Sequence, residues 1–180
     1  MKLWRMENPP YNSSQMTWSQ DRALGRVSTL TDVSGQVLAR LHFTSRWKHG
    51  AVGQFGAKSY RFEYHGILHP TIRMVKVDLG DQIASIRLRW KMNEKAGIEL
   101  ADGRVFRLFC YGLMSRTWKL KDESDRELCI MVEKWGLARS RGQFAASDLR
   151  RADPEILFLA LLVWYVTMVI TYQESAAGAS

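Results

Sequence analysis

The chain has 180 residues, 46% of them hydrophobic and 24% charged, with 13 glycines, 4 prolines and 2 cysteines. Lys and Arg number 26 against 18 acidic residues, a formal charge of +8. A chain of this size buries one core without disulfide staples, and this composition excludes a disordered segment, a collagen-like repeat and a disulfide-framed secreted module.

Most of the positive surplus falls in residues 1–80, which hold 11 basic and 5 acidic side chains. It is scattered there, with no Lys/Arg run of the kind found in disordered nucleic-acid arms. Such a field favours anionic partners as a class. The first residues, Met1-Lys2-Leu3-Trp4-Arg5, lack the apolar stretch of a signal peptide. Cys110 and Cys129 form no Cys-x-x-Cys pair and read as small buried hydrophobes in a reducing compartment, so the expected location is cytoplasmic.

In chain order, residues 8–20 contain Asn8-Pro9-Pro10-Tyr11-Asn12-Ser13-Ser14 and read as turn-like. They end an N-terminal segment, residues 1–21, expected to pack on the body. From residue 22 the apolar positions recur with a period near two. Val37, Ala39, Leu41 and Phe43 alternate with Leu38, Arg40, His42 and Thr44, a strand with one buried face. Residues 59–64 and 72–78 repeat the pattern. Ile86, Leu88 and Trp90 are expected to face inward, with Arg87, Arg89 and Lys91 facing water. Residues 98–110 form the clearest hairpin, its Asp102-Gly103 turn requiring the positive φ that Gly103 adopts at low cost. A second pair of runs, 117–121 and 127–133, flanks a polar turn. Many short strands punctuated by glycine, with no amphipathic helix between them, predict an antiparallel sandwich or barrel.

Residues 139–155 read as a polar lead-in. Asp153 is placed to cap a helix, with Pro154 in its first turn and Glu155 at the positive end of its dipole. Residues 156–172 then carry no charge and span about 25 Å as a helix. A rod apolar on every side requires a protein interior or a bilayer. Arg139, Arg141, Arg150 and Arg151 precede it and no basic residue follows, so a tail anchor with a cytosolic basic domain satisfies the charge rule. Trp164, Tyr165, Met168 and Tyr172 are equally suited to filling a core.

The Gly35 turn, residues 60–66 (YRFEYHG), residues 81–87 (DQIASIR), the Asp102-Gly103-Arg104 hairpin and the Asp153-Pro154-Glu155 entry to the apolar helix occur in an order that resembles the Tubby C-terminal-like superfamily. That group includes LURP-one-related proteins, phospholipid scramblases and uncharacterised bacterial members. The resemblance covers about residues 22–173. It implies a closed antiparallel β-barrel of about twelve strands around a central hydrophobic C-terminal α-helix, here about residues 154–172, followed by a polar tail at 174–180. Leu161, Val163, Trp164 and Met168 become the structural core of that helix. The Pro-rich tail and clustered cysteines that often precede a scramblase domain are absent, so scramblase activity is not carried over.

No catalytic signature, phosphate loop or dinucleotide fingerprint is present. His65 and His69 have a spacing that metals use, but no cysteine or acidic residue completes a zinc set in sequence, and no cofactor or metal is expected. Three basic groups are candidates for contact with an anionic headgroup: Arg46 and Lys48 beside Trp47; Arg73 and Lys76; and Arg87, Arg89 and Lys91. The function expected is a non-enzymatic lipid- or protein-interaction domain, cytoplasmic or peripheral to a membrane, with anionic phospholipid or another protein as partner. Nucleic acid is disfavoured because no recognition helix or stacking motif is evident. The alternatives are the tail-anchored protein and a small hydrolase with an unrecognised site.

Overall fold

The computed structural model describes residues 16–20, 26–45, 50–66, 70–89, 91–112, 116–135, 140–146 and 154–177. These form twelve strands and one helix: β1 (Met16–Gln20), β2 (Val27–Thr31), β3 (Val37–Phe43), β4 (Gly50–Phe55), β5 (Lys58–His65), β6 (Thr71–Lys76), β7 (Gln82–Leu88), β8 (Glu94–Leu100), β9 (Val105–Tyr111), β10 (Arg116–Asp122), β11 (Glu127–Trp135), β12 (Ser140–Ala146) and α1 (Pro154–Ala177). Each strand pairs antiparallel with its sequence neighbours, and β1 pairs with β12 to close the barrel. Closure leaves no sheet edge exposed to another chain.

Alternation sets the inner face. Along β3, Ala39, Leu41 and Phe43 are buried while Arg40 and His42 face out. The helix lies inside: every residue from 159 to 171 is buried, although nothing in its sequence makes one side more apolar than another. Barrel walls surround it, which answers the requirement of a uniformly apolar rod for apolar neighbours on all sides. The helix is long and apolar enough to cross a membrane, and most of that stretch is buried within the barrel. A tail anchor would therefore have to leave the core that the strands build around it.

Aromatic rings lock the rod to the wall. Trp164 stacks on Trp18 at 5.6 Å with planes 6° apart, and Tyr165 packs between Phe62 at 4.3 Å and Phe43 at 6.0 Å. Two strand glycines admit the helix. Leu161 occupies the space a side chain at Gly53 would need, and a Cβ at Gly142 would sit 2.5 Å from Trp164. Among the hydroxyls buried along the helix, that of Thr167 donates to the Val163 carbonyl at 2.7 Å and so costs little.

Three sequence expectations are corrected. The barrel does not begin at residue 22: β1, inside the segment assigned to residues 1–21, is the strand that joins β12 to β2, with Met16 and Trp18 fully buried. Within the polar lead-in of 139–155 lies β12, whose inward positions include Gly142 and Phe144. The helix continues past 172 to Ala177, so the first part of the tail at 174–180 is helical.

Candidate functional site

The interior offers no reaction chamber among the described residues, because α1 fills it. Cys110 and Cys129 are free and buried, on strands separated by β10. Burial pushes the Cys110 thiol up to about 11, against the pull of nearby Arg116 and Lys95, and burial also raises Cys129. Neither is a thiolate nucleophile near neutral pH. His65 lies 3.7 Å from Glu63, and no group of His, Cys, Asp and Glu among the described residues is placed to hold a metal. His69 lies outside the described residues. Chemistry is left to the two mouths and the outer wall.

One mouth surrounds the N-terminus of α1 and is lined by the hairpin turns β2–β3, β4–β5, β6–β7, β8–β9 and β10–β11. In the β8–β9 turn Gly103 has φ +87°, and its amide donates to the Leu100 carbonyl at 3.0 Å. That geometry turns Arg104 toward the helix, where it pairs with Asp102 at 2.8 Å and with Glu155 in the first helical turn. Hydrogen bonds from Arg104 hold Asp102 below the usual carboxylate range, and the same two acids raise Arg104.

A cleft lies on either side of this Arg104–Glu155 bridge. One, of about 440 Å³, is edged by Asp122, Glu123, Ser124 and Arg126. The other, of about 500 Å³, has an aromatic floor: Tyr60 stacks on Phe55 at 5.3 Å and meets the edge of Phe158 at 5.9 Å. Ile83 and Leu100 continue the floor, and Lys58, Lys76 and Asp81 stand around it. Tyr60 is 6% exposed, and its hydroxyl makes no hydrogen bond among the described residues. Burial first, and Asp78 second, raise its pKa, so it remains a donor.

The same rim carries apolar turn tips. Val33 in the β2–β3 turn is 66% exposed and Leu79 in the β6–β7 turn 63%, with Val77 beside it also exposed. Two of the turns from β2 to β7 therefore carry an exposed apolar tip beside acidic residues, Asp32 in one and Asp78 and Asp81 in the other, whereas the turns from β8 to β11 present charge alone.

At the opposite mouth the helix ends on a half-buried ionic cluster. Lys95 and Arg116 reach Glu174 at 2.9 and 2.7 Å, and Arg116 also donates to Thr171 at 3.3 Å. Fully buried Glu133 stands opposite Arg116 in register and accepts from the Trp118 indole at 3.2 Å. Gln173 donates to the Tyr64 hydroxyl at 2.7 Å.

The basic residues expected to act together are distributed over these regions. Arg46, Trp47 and Lys48 lie outside the described residues. Arg73 and Lys76 are an odd number of positions apart on β6, so they part company: Arg73 faces out and donates to Gln82 at 2.7 Å, while Lys76, opposite Tyr60, lines the cleft. Arg87 is exposed on the adjacent strand, near Arg73. Arg89 does not continue a free stripe, because it pairs with Glu94 and packs over Gly97. Lys91 is exposed beyond the end of β7. On the outer wall Arg61, Arg73 and Arg87 stand near Glu63 and Glu99, a small surplus. The core-helix residues Leu161, Val163, Trp164 and Met168 are all buried inside the barrel. The sequence reading missed Lys58, Phe158, Lys95, Arg116 and Glu174 as neighbours; hairpin parity alone could have placed Lys58 near Tyr60, but only closure brings Phe158 to them.

The closed twelve-stranded antiparallel barrel with its C-terminal apolar helix matches the general Tubby-like architecture. No family model, curated protein or solved structure matches the chain.

Proposed function

We propose that this chain is a non-catalytic, Tubby-like interaction domain that seats on phospholipid surfaces by the mouth around the N-terminus of α1. The observation that carries this reading is the exposure of Val33 and Leu79 at two turns of one rim, where hairpin turns are ordinarily polar. Apolar tips enter the headgroup–acyl boundary, while Lys58 and Lys76 between them face the phosphates. The overall charge of +8 adds long-range attraction to anionic lipid, and the outward Arg73 and Arg87 contribute to that field.

Co-sedimentation of the full chain with vesicles tests this. Binding is expected to vesicles containing phosphatidylserine, to weaken with salt, and to fall sharply in the Val33→Asp/Leu79→Asp variant. A pairing of Arg73→Glu with Arg87→Glu is expected to reduce binding less, by lowering the general field. Equal binding by the rim variant and the unaltered chain would refute the proposed orientation.

A further inference from the structure

The cleft beside Tyr60 has a charge pattern that an anion alone does not match. Lys58 and Lys76 bring two ammonium groups, but Asp78 lies 3.9 Å from Lys76 and Asp81 stands on the rim. The third cation, Arg104, is committed to Asp102 and Glu155. There is thus no positive surplus to hold a lone phosphate, while opposite charges stand on one short stretch of rim. Beneath them the floor is aromatic, and it already accepts a cation: the Lys58 ammonium sits 6.0 Å from the centre of the Phe55 ring. Tyr60 buries its ring but presents to the same cleft a hydroxyl that no described residue engages and that is not sealed from solvent, so it is free to donate to a ligand.

We propose that this cleft binds one zwitterionic phosphate amphiphile. Its phosphate lies between Lys58 and Lys76 and accepts from the Tyr60 hydroxyl. Its quaternary ammonium rests on the aromatic floor toward Asp81, and the start of its acyl chains meets Phe158, Ile83 and Leu100. A volume of about 500 Å³ is in the range of small-molecule sites. The inference deepens the membrane reading, on which it rests for taking phospholipid as the ligand class; it adds the headgroup and the residues that select it.

Monomeric dihexanoyl glycerophosphocholine, kept below its micelle concentration, is the probe, followed by calorimetry and by backbone amide shifts in the full chain. Saturable binding is expected, with shifts at residues 55–60 and 76–81. Lys58→Ser/Lys76→Ser should weaken it by about tenfold or more, since charge-assisted bonds to phosphate are lost. Tyr60→Phe, which keeps the ring, should weaken it by about threefold to tenfold. Dihexanoyl phosphatidic acid should bind about fivefold or more weakly than the zwitterion, because Asp78 and Asp81 oppose its net charge. The proposal is overturned if the anionic lipid binds as tightly, if the double-lysine variant binds unchanged, or if the zwitterion does not saturate. The Val33→Asp/Leu79→Asp variant separates the two readings. Lost vesicle binding with monomer binding intact supports both; monomer binding without any vesicle binding by the unaltered chain removes the membrane orientation and leaves the cleft; vesicle binding without monomer binding removes the cleft alone.

Discussion

At the turn-lined mouth Arg104 holds Glu155, a helix-end carboxylate, with half of its own side chain in water. At the far mouth Arg116 holds Glu174, also a helix-end carboxylate, with only 22% of its side chain exposed. The bridging plan is the same, a cation of the barrel to an acid on the terminal turn of α1, but the electrostatic settings are opposite. Glu155 stands at the positive end of the helix dipole and is favoured there before any partner arrives. Glu174 stands at the negative end and is disfavoured. That accounts for the second cation, Lys95, at the far mouth. One end is solvated; the other is a half-buried clamp on the rod.

The comparison breaks most directly on the two arginines. Arg116→Ala leaves Glu174 with a single cation at an unfavourable helix end, and removes the residue opposite buried Glu133. Breaking a fully buried pair costs about 3–5 kcal/mol, and partial exposure here brings the expected loss to about 3 kcal/mol. Arg104→Ala leaves Asp102 and Glu155 in solvent and should cost less than about 1 kcal/mol. Urea unfolding of both variants measures the difference. Equal losses would mean that the far mouth is not a clamp.

Alkaline pH sharpens the same contrast, because Cys110 lies against the clamp. Its thiol is raised from 9.0 to about 11, first by burial. In the unfolded chain it ionises first, so the folded state holds the extra proton and stability falls as pH rises from about 9 to about 11. A difference of that size corresponds to about 2.7 kcal/mol; contact with the polar cluster reduces the expectation to about 2 kcal/mol. Buried Cys129 adds to the same slope. Denaturant midpoints for the unaltered chain and Cys110→Ala, taken at both ends of that window, test it. The variant should lose less stability on alkalinisation, and parallel losses would show that the thiol is not shielded.

How much of this was legible before the structure depends on whether the signal is local. Strand parity around Ala39, Leu41 and Phe43, the Gly103 turn and the uncharged stretch from 156 to 172 are local, and each appears where the sequence places it. Barrel closure is not local. Met16 and Trp18 make a short strand behind a Pro- and Asn-rich stretch, and nothing near them announces β12 as their partner. β12 has a glycine where the pattern asks for an apolar side chain, because Trp164 takes up that space. The basic clusters fared worst. Proximity in sequence joined Arg73 to Lys76 and Arg87 to Arg89, whereas strand faces and the Arg89–Glu94 pair separated them. Lys58, Tyr60 and Phe158 meet only because the helix N-terminus arrives beside the β4–β5 hairpin, a contact with a hundred residues of chain between its partners and no periodicity to reveal it.

The smallest expected effect concerns two turns on the open mouth that share one design. Asp32 Oδ1 accepts from the amides of Ser34 and Gln36 at 2.8 and 3.0 Å; Asp122 Oδ1 accepts from Ser124 and Arg126, each at 3.0 Å. The fourth position is left-handed in both, filled by Gly35 at φ +84° and by Asp125 at φ +62°. A Cβ at Gly35 would meet nothing within 4 Å, so substitution there tests the backbone conformation alone. Gly35→Ala should cost about 1 kcal/mol, and Gly35→Asp less, because a short polar side chain tolerates this conformation as Asp125 does. Asp125→Gly relieves the same strain but forfeits the exposed pair with Arg107 at 2.8 Å, leaving a net change within about 0.5 kcal/mol. Thermal melts of the three variants give the ranking. If Gly35→Asp proves costlier than Gly35→Ala, the two turns are alike in hydrogen bonding only, and the tolerance of Asp125 must come from its arginine.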